Sequence, residues 1–76
     1  MKTKIKLDSI NAVKDFVSIV MLYDFDIDLV SGRYAVDAKS IMGIFSLDLS
    51  QTLVLNADTD EEEKVKEAFA DFVKGI

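Results

Sequence analysis

Ser40 follows Lys39 and heads the apolar segment Ile41-Met42-Gly43-Ile44-Phe45, which sets a hydroxyl and a cation at the start of a short helical pattern. A serine so placed caps the helix, its oxygen accepting one of the unpaired N–H groups at the helix start. The other groups with chemical potential point to less. Asp24, Asp26 and Asp28 share one side of a strand, but like charges so arranged normally face water, and no other ligand type accompanies them. The acids from Asp58 to Glu63 complement the positive end of a helix without any cation. Ser46 and Ser50 have no His or Lys base at an identifiable spacing, so a hydrolase has almost no support. The chain has no Cys and no His, which removes thiol nucleophiles and thiolate metal sites. No catalytic residue, metal or cofactor is expected, and the chain is read as a non-enzyme.

The elements that carry these residues follow from periodicity. Lys4-Ile5-Lys6-Leu7 has the two-residue period of a half-buried strand, and Asp8, Ser9 and Asn11 then offer helix caps. From Ile10 to Tyr23 a helix is expected, with Val13, Phe16, Val17 and Val20 on its core face; Met21 and Leu22 fall off that face. Phe25-Asp26-Ile27-Asp28-Leu29 and Tyr34-Ala35-Val36-Asp37 alternate as strands, with Ser31-Gly32 as the hairpin turn between them. Lys39 to Leu49 switches to a looser helical spacing, with Ser40 as N-cap and with Ile44 and Leu47 as core positions. Thr52-Leu53-Val54-Leu55 is a further strand. After Asp58, Thr59 and Asp60 a last helix places Val65, Phe69, Phe72, Val73 and Ile76 inside and Lys64, Lys66 and Lys74 outside.

The order is therefore strand, helix, strand, strand, helix, strand, helix. For one domain this implies an α+β fold in which a four-stranded antiparallel sheet carries three helices on one face. A chain of 76 residues encloses one core, so residues 1–76 are a single domain. Half of them are apolar, including five Phe and two Tyr, which suffices for a globule and argues against disorder. The most apolar stretch, Phe16 to Tyr23, lies between Asp15 and Asp24 and is far short of the ~20 residues of a membrane span. Nine basic against fourteen acidic residues leave a net charge of −5, the wrong sign for holding a phosphate backbone. Nucleic acid and membrane are not expected partners. The start of the chain has no continuous apolar region of a signal peptide, and a cytoplasmic location is expected.

This pattern fits several split β-α-β families until one segment is considered. Asp37-Ala38-Lys39-Ser40-Ile41-Met42-Gly43-Ile44-Phe45-Ser46-Leu47 closely resembles the Lys-Ser-Ile-Met-Gly-(Ile/Val)-Met-Ser-Leu segment of HPr, the phosphocarrier of the bacterial sugar phosphotransferase system. From Lys39 to Ser46 only Phe45 departs, standing in place of Met. Tyr23-Asp24, the Gly32 turn and the acidic start of the last helix also fall where that family has them, so the resemblance spans nearly the whole chain. It implies the HPr-like open-faced β-sandwich, with the order βαββαβα.

One departure matters for function. The family carries a His-Ala-Arg-Pro stretch at the start of the first helix, where the imidazole takes up phosphate. Here the chain reads Ile10-Asn11-Ala12, about three residues shorter, with no histidine anywhere; its only arginine is Arg33, in the hairpin. Neither Ser9 nor Asn11 supplies a nucleophile for a labile phosphoryl group without a base beside it. The resemblance therefore implies a non-catalytic regulator or adaptor. Ser40 corresponds to the serine that, in HPr of many low-GC Gram-positive bacteria, a dedicated ATP-dependent kinase phosphorylates. Ile41, Met42 and Phe45, with Lys39 and Ser46, correspond to a partner-docking patch, and Met and Phe suit surfaces that repack against unlike partners. Asp48 stands where the family usually has Gly and adds negative charge beside that patch. The implied partners are phosphotransferase-system proteins, a carbon-regulation transcription factor or a kinase. Two alternatives remain open: a small-molecule-binding sensory domain on a similar scaffold, and residual phosphate transfer on another residue such as Ser9.

Overall fold

The computed structural model describes residues 1–73. Its elements are β1 (Lys2–Ile5), α1 (Ile10–Val20), β2 (Ile27–Ser31), β3 (Tyr34–Asp37), α2 (Ile41–Phe45), β4 (Leu53–Ala57), α3 (Glu62–Ala68) and α4 (Ala70–Val73). The four strands form one antiparallel sheet in the order β1-β4-β2-β3. Alternation decides which side of the sheet each residue takes. Ile5, Ile27, Leu29, Leu53, Leu55 and Ala57 point to the helices and are buried, while Lys2, Lys4, Asp28, Ala35 and Asp37 point away and are exposed.

The helices cover the apolar side. Val13, Phe16 and Val20 recur at helical spacing on α1 and are buried, and Val17 is partly buried beside them, so the expected core face is the observed one. Ser9 caps this helix by accepting the Ala12 N–H at 3.0 Å. Phe16 stands at the centre of an aromatic group, with its ring centroid 5.2 Å from Phe69 and 5.5 Å from Phe72 in an edge-on arrangement. The Lys6 N–H donates to the Phe72 carbonyl at 2.8 Å, which ties the C-terminal helical segment to the end of β1.

Three sequence expectations shift. The strands β1, β2 and β4 each lie two residues or fewer from their expected positions, because the ends of a ladder are set by the partner strand and not by local alternation. The hairpin turn is Gly32-Arg33, not Ser31-Gly32: Ser31 pairs with Tyr34, and Gly32 takes φ 58, as a two-residue turn with glycine first requires. The single C-terminal helix is divided at Phe69, whose backbone leaves the helical region (φ −108, ψ 16) before α4 begins. Val65, Phe69 and Phe72 are spaced four and then three residues apart, and the break lets both rings enter the core, while Val73 is left 38% exposed instead of inside. Ile76 and Lys74 lie outside the described residues. Among the described residues no helix is long and apolar enough to cross a membrane.

The aromatic group predicts an asymmetry along the C-terminal segment. Phe16→Ala should destabilise the domain by about 3–5 kcal/mol, through lost transfer energy and the cavity left behind. That is a large part of the roughly 4–11 kcal/mol that a chain of this length holds. Val73→Ala should cost under about 1 kcal/mol, since its side chain is only partly covered. Urea unfolding followed by circular dichroism measures both.

Candidate functional site

The segment after β3 is fixed in three steps. The Ala38 N–H donates to the Ile27 carbonyl at 2.9 Å, and the Ala38 methyl is buried, so the chain leaves the sheet at a defined point. One carboxylate oxygen of Asp37 accepts the Lys39 N–H at 2.9 Å, and the Asp37 carbonyl accepts the Ser40 N–H at 2.9 Å. Together these turn the backbone so that Ser40, in an extended conformation (φ −94, ψ 99), becomes the N-cap of α2. Its Oγ accepts the Gly43 N–H at 3.1 Å, and its carbonyl accepts the Ile44 N–H at 3.0 Å.

Ile44 then enters the core with no exposed surface, and Leu47 follows it, which seats the helix. Space beside Gly43 is tight. A methyl group there would stand 3.1 Å from Ser40 Oγ and 3.3 Å from Val36 Cβ, so a side chain would press on the cap and on β3. At the other end Ser46 closes the helix, its hydroxyl donating to the Gly43 carbonyl at 2.5 Å. A helix of five residues supplies little macrodipole, so the local hydrogen bonds and Lys39, and not the dipole, make up the electrostatics at Ser40.

With α2 seated, its outer side is open. Lys39, Ser40 and Ser46 are exposed, Met42 is 77% exposed and Phe45 is 39% exposed. Ile41 differs from the sequence expectation: it is half-buried and packs against the core, so only part of it is available to a partner. Phe45 reaches the start of α1, where it lines a shallow open depression with Lys6, Leu7, Ser9, Ile10 and Leu49. Ile10 is 64% exposed and had no role in the sequence reading. The signal for it was present: an isoleucine directly after a capping serine, three residues before Val13 and so in line with the apolar face, but on a first turn that runs ahead of the core. Asp48 lies beyond α2 and is fully exposed. Its carboxylate accepts both the hydroxyl and the N–H of Ser50, at 2.6 and 3.1 Å, and these bonds hold its pKa below the usual carboxylate value.

The other candidates stay apart from this surface. Ser9 serves as the cap of α1, and Asn11 is exposed one residue into that helix. Asp24, Asp26 and Asp28 form no metal site: among the described residues no group of three or more carboxylates could hold an ion.

The chain matches the family model described as the PTS HPr component phosphorylation site over residues 9–75. Among solved structures it is similar to the HPr-C-His protein of Thermoanaerobacter tengcongensis, at 28% identity and a TM-score of 0.80, covering 99% of this chain and 92% of that one. It is also similar to the phosphocarrier protein HPr of Bacillus anthracis str. Ames, at 23% identity and a TM-score of 0.73, covering 96% and 95% of the two chains. No curated protein matches it.

The cap geometry separates substitutions at one position. Ser40→Ala removes the acceptor for the Gly43 N–H and should lower stability by about 0.5–1.5 kcal/mol, whereas Ser40→Asp keeps an acceptor and should stay within about 0.5 kcal/mol of wild type. Chemical denaturation of the three proteins checks this. The Asp48 bonds give a second expectation. Its titration midpoint, followed by NMR, should lie below 3.8 in the wild type and rise toward that value in Ser50→Ala. A depressed carboxylate contributes its stability above the ordinary carboxylate range and loses it as pH falls through the lowered value, so Ser50→Ala should shrink that pH-dependent contribution.

Proposed function

The chain belongs to the PTS-HPr family, and we propose that within it this protein acts as a non-catalytic regulator or adaptor, switched by phosphorylation at Ser40 and unable to carry phosphate on histidine. The observation that carries this reading is an exposed Ser40 beside the exposed Met42 and Phe45, in a chain that contains no histidine. A labile phosphoryl carrier needs a nucleophile that is also a good leaving group. At the start of α1 the residues are Ser9, Ile10, Asn11 and Ala12, none of which meets that need.

Ser40 suits the slower, more stable chemistry of a signal. A kinase would transfer the γ-phosphoryl group of ATP to Oγ, the hydroxyl proton leaving to the kinase's base and ADP departing. The cap uses the oxygen as an acceptor, a role phosphate oxygens can keep toward the Gly43 N–H. The change would place about −1.5 to −2 charges next to Lys39 and on the rim of the Met42–Phe45 surface. A partner that docks on apolar side chains alone would then be disfavoured, and one with an arginine or lysine opposite Ser40 favoured. Cytoplasmic phosphotransferase-system proteins, a carbon-regulation transcription factor and the kinase itself are the partner classes this supports.

Incubation with an HPr kinase and ATP should add one phosphate by intact mass, and Ser40→Ala should abolish the addition. An unchanged mass removes the switch. In parallel, phosphorylated enzyme I should transfer nothing to this protein; a phosphorylated product there would overturn the claim that it is no carrier.

A further inference from the structure

The side of the sheet away from the helices is built of two registered rows. One runs Lys2–Asn56–Asp28–Asp37 across β1, β4, β2 and β3, and the next runs Lys4–Val54–Val30–Ala35 in the same order. No element of the described chain covers this face: Lys2, Lys4, Asp28, Ala35 and Asp37 are exposed, and Asn56, Val30 and Val54 are half-buried. Its charges are segregated, with both cations on the β1 edge and both acids on β2 and β3. Neighbouring strands lie about 4.8 Å apart, so β1 and β3 are separated by about 14 Å, and the lysines cannot neutralise the far acid within one molecule. Lys64, off this face, is ion-paired with Glu61 at the start of α3.

We propose that this face binds a second copy of the chain, sheet against sheet, about a two-fold axis that runs along the strands. Such an axis carries β1 of one protomer over β3 of its partner and β4 over β2. Lys2 and Lys4 then meet the acidic side of the second face, Asn56 lies opposite Asp28, and Val54 packs on Val30 twice, once from each side. Aligned packing of two twisted sheets, about 10 Å apart, brings side chains of this length into contact. The arrangement is self-complementary in charge and closes on itself. A reversed axis, placing β1 on β1, would set lysine on lysine.

Eight side chains make a face smaller than the ~800 Å² per partner of a stable complex, so the association is weak and reversible. Each protomer also carries a net charge of −5, which opposes approach at long range. Salt at physiological strength screens charges more than about 8 Å apart and leaves contact pairs less affected, so the dimer persists at that ionic strength.

The test is a concentration series of the whole chain by two-dimensional NMR and sedimentation equilibrium, from roughly 50 μM to 2 mM, the range in which weak contacts report. The amides of Val30, Val54, Asn56 and Asp28 should shift with concentration, and the mean mass should rise above that of a monomer. Lys2→Glu with Lys4→Glu should weaken association at least about tenfold, as should Asp37→Lys alone, since Asp37 lies opposite Lys2; mixing those two variants should restore it. Glu62→Lys with Glu63→Lys, which changes charge off the face, should not weaken it. The proposal is overturned by a chain that stays monomeric throughout the range, by shifts confined to Met42 and Phe45, or by a failure of the mixture to associate. All substituted residues are exposed, and the wild-type series alone decides the matter if a variant does not fold.

Discussion

A helix of five residues has no stability of its own, because forming its first turn fixes several residues for a single hydrogen bond. Everything the candidate site offers therefore depends on what holds α2 in place. That support is specific: the Ala38 amide on the Ile27 carbonyl, Ile44 and Leu47 in the core, and a glycine at position 43 that allows the helix to approach Val36. The Asp37 side chain adds the turn that brings Ser40 to the cap. Exposed chemistry on Ser40, Met42 and Phe45 is thus the outer side of an arrangement whose inner side is ordinary packing.

The same economy of parts appears at both helix starts. Ser9 and Ser40 each accept a backbone N–H three residues ahead, at 3.0 and 3.1 Å. In each case the oxygen acts as acceptor, and capping does not consume the hydroxyl proton. What separates the two is their surroundings. Ser40 has Lys39 at its side and the apolar Met42 and Phe45 within the following turn, whereas Ser9 opens on Ile10 and Asn11, with Asp8 before it. A phosphate on Ser40 would gain a cation, and one on Ser9 would gain an adjacent anion.

Features set by residues close in sequence could be read without a structure. The Ser40 cap, the burial of Ile44 and Leu47 and the core stripe of α1 all follow from three- and four-residue spacings, while the exposure of Met42 was implied by the resemblance to HPr. Features set by distant residues could not. Strand ends moved because the ladder partner decides them. The break at Phe69 was hidden because the spacing from Val65 through Phe69 to Phe72 suits a continuous helix as well as a divided one, and only the position of Phe16 shows why both rings must turn inward. Ile41 was placed in the docking patch by the resemblance to HPr, and the fold leaves it half-buried against the core. Ile10 was missed for the converse reason: its partner in the depression, Phe45, is 35 residues away by number and adjacent only after folding. The segregation of lysines from aspartates on the open sheet was likewise invisible until the register was known.

These placements bear on why a chain with this fold can lack a histidine and remain well packed. The residues at the start of α1, from Ser9 to Asn11, are exposed, while the burial that positions the helix begins at Val13. An acceptor group there contributes little to the core, so exchanging or deleting it leaves Phe16 against Phe69 and Phe72 undisturbed. The α2 segment has no such independence. A side chain at position 43 would crowd Val36, Ile44 fills the core, and Ser40 and Ser46 satisfy both ends of the helix, so the sequence from Lys39 to Leu47 is restrained by packing whether or not anything docks on it. The start of the first helix can therefore vary without cost to the core, whereas the outer surface of the second helix has a shape the core itself enforces.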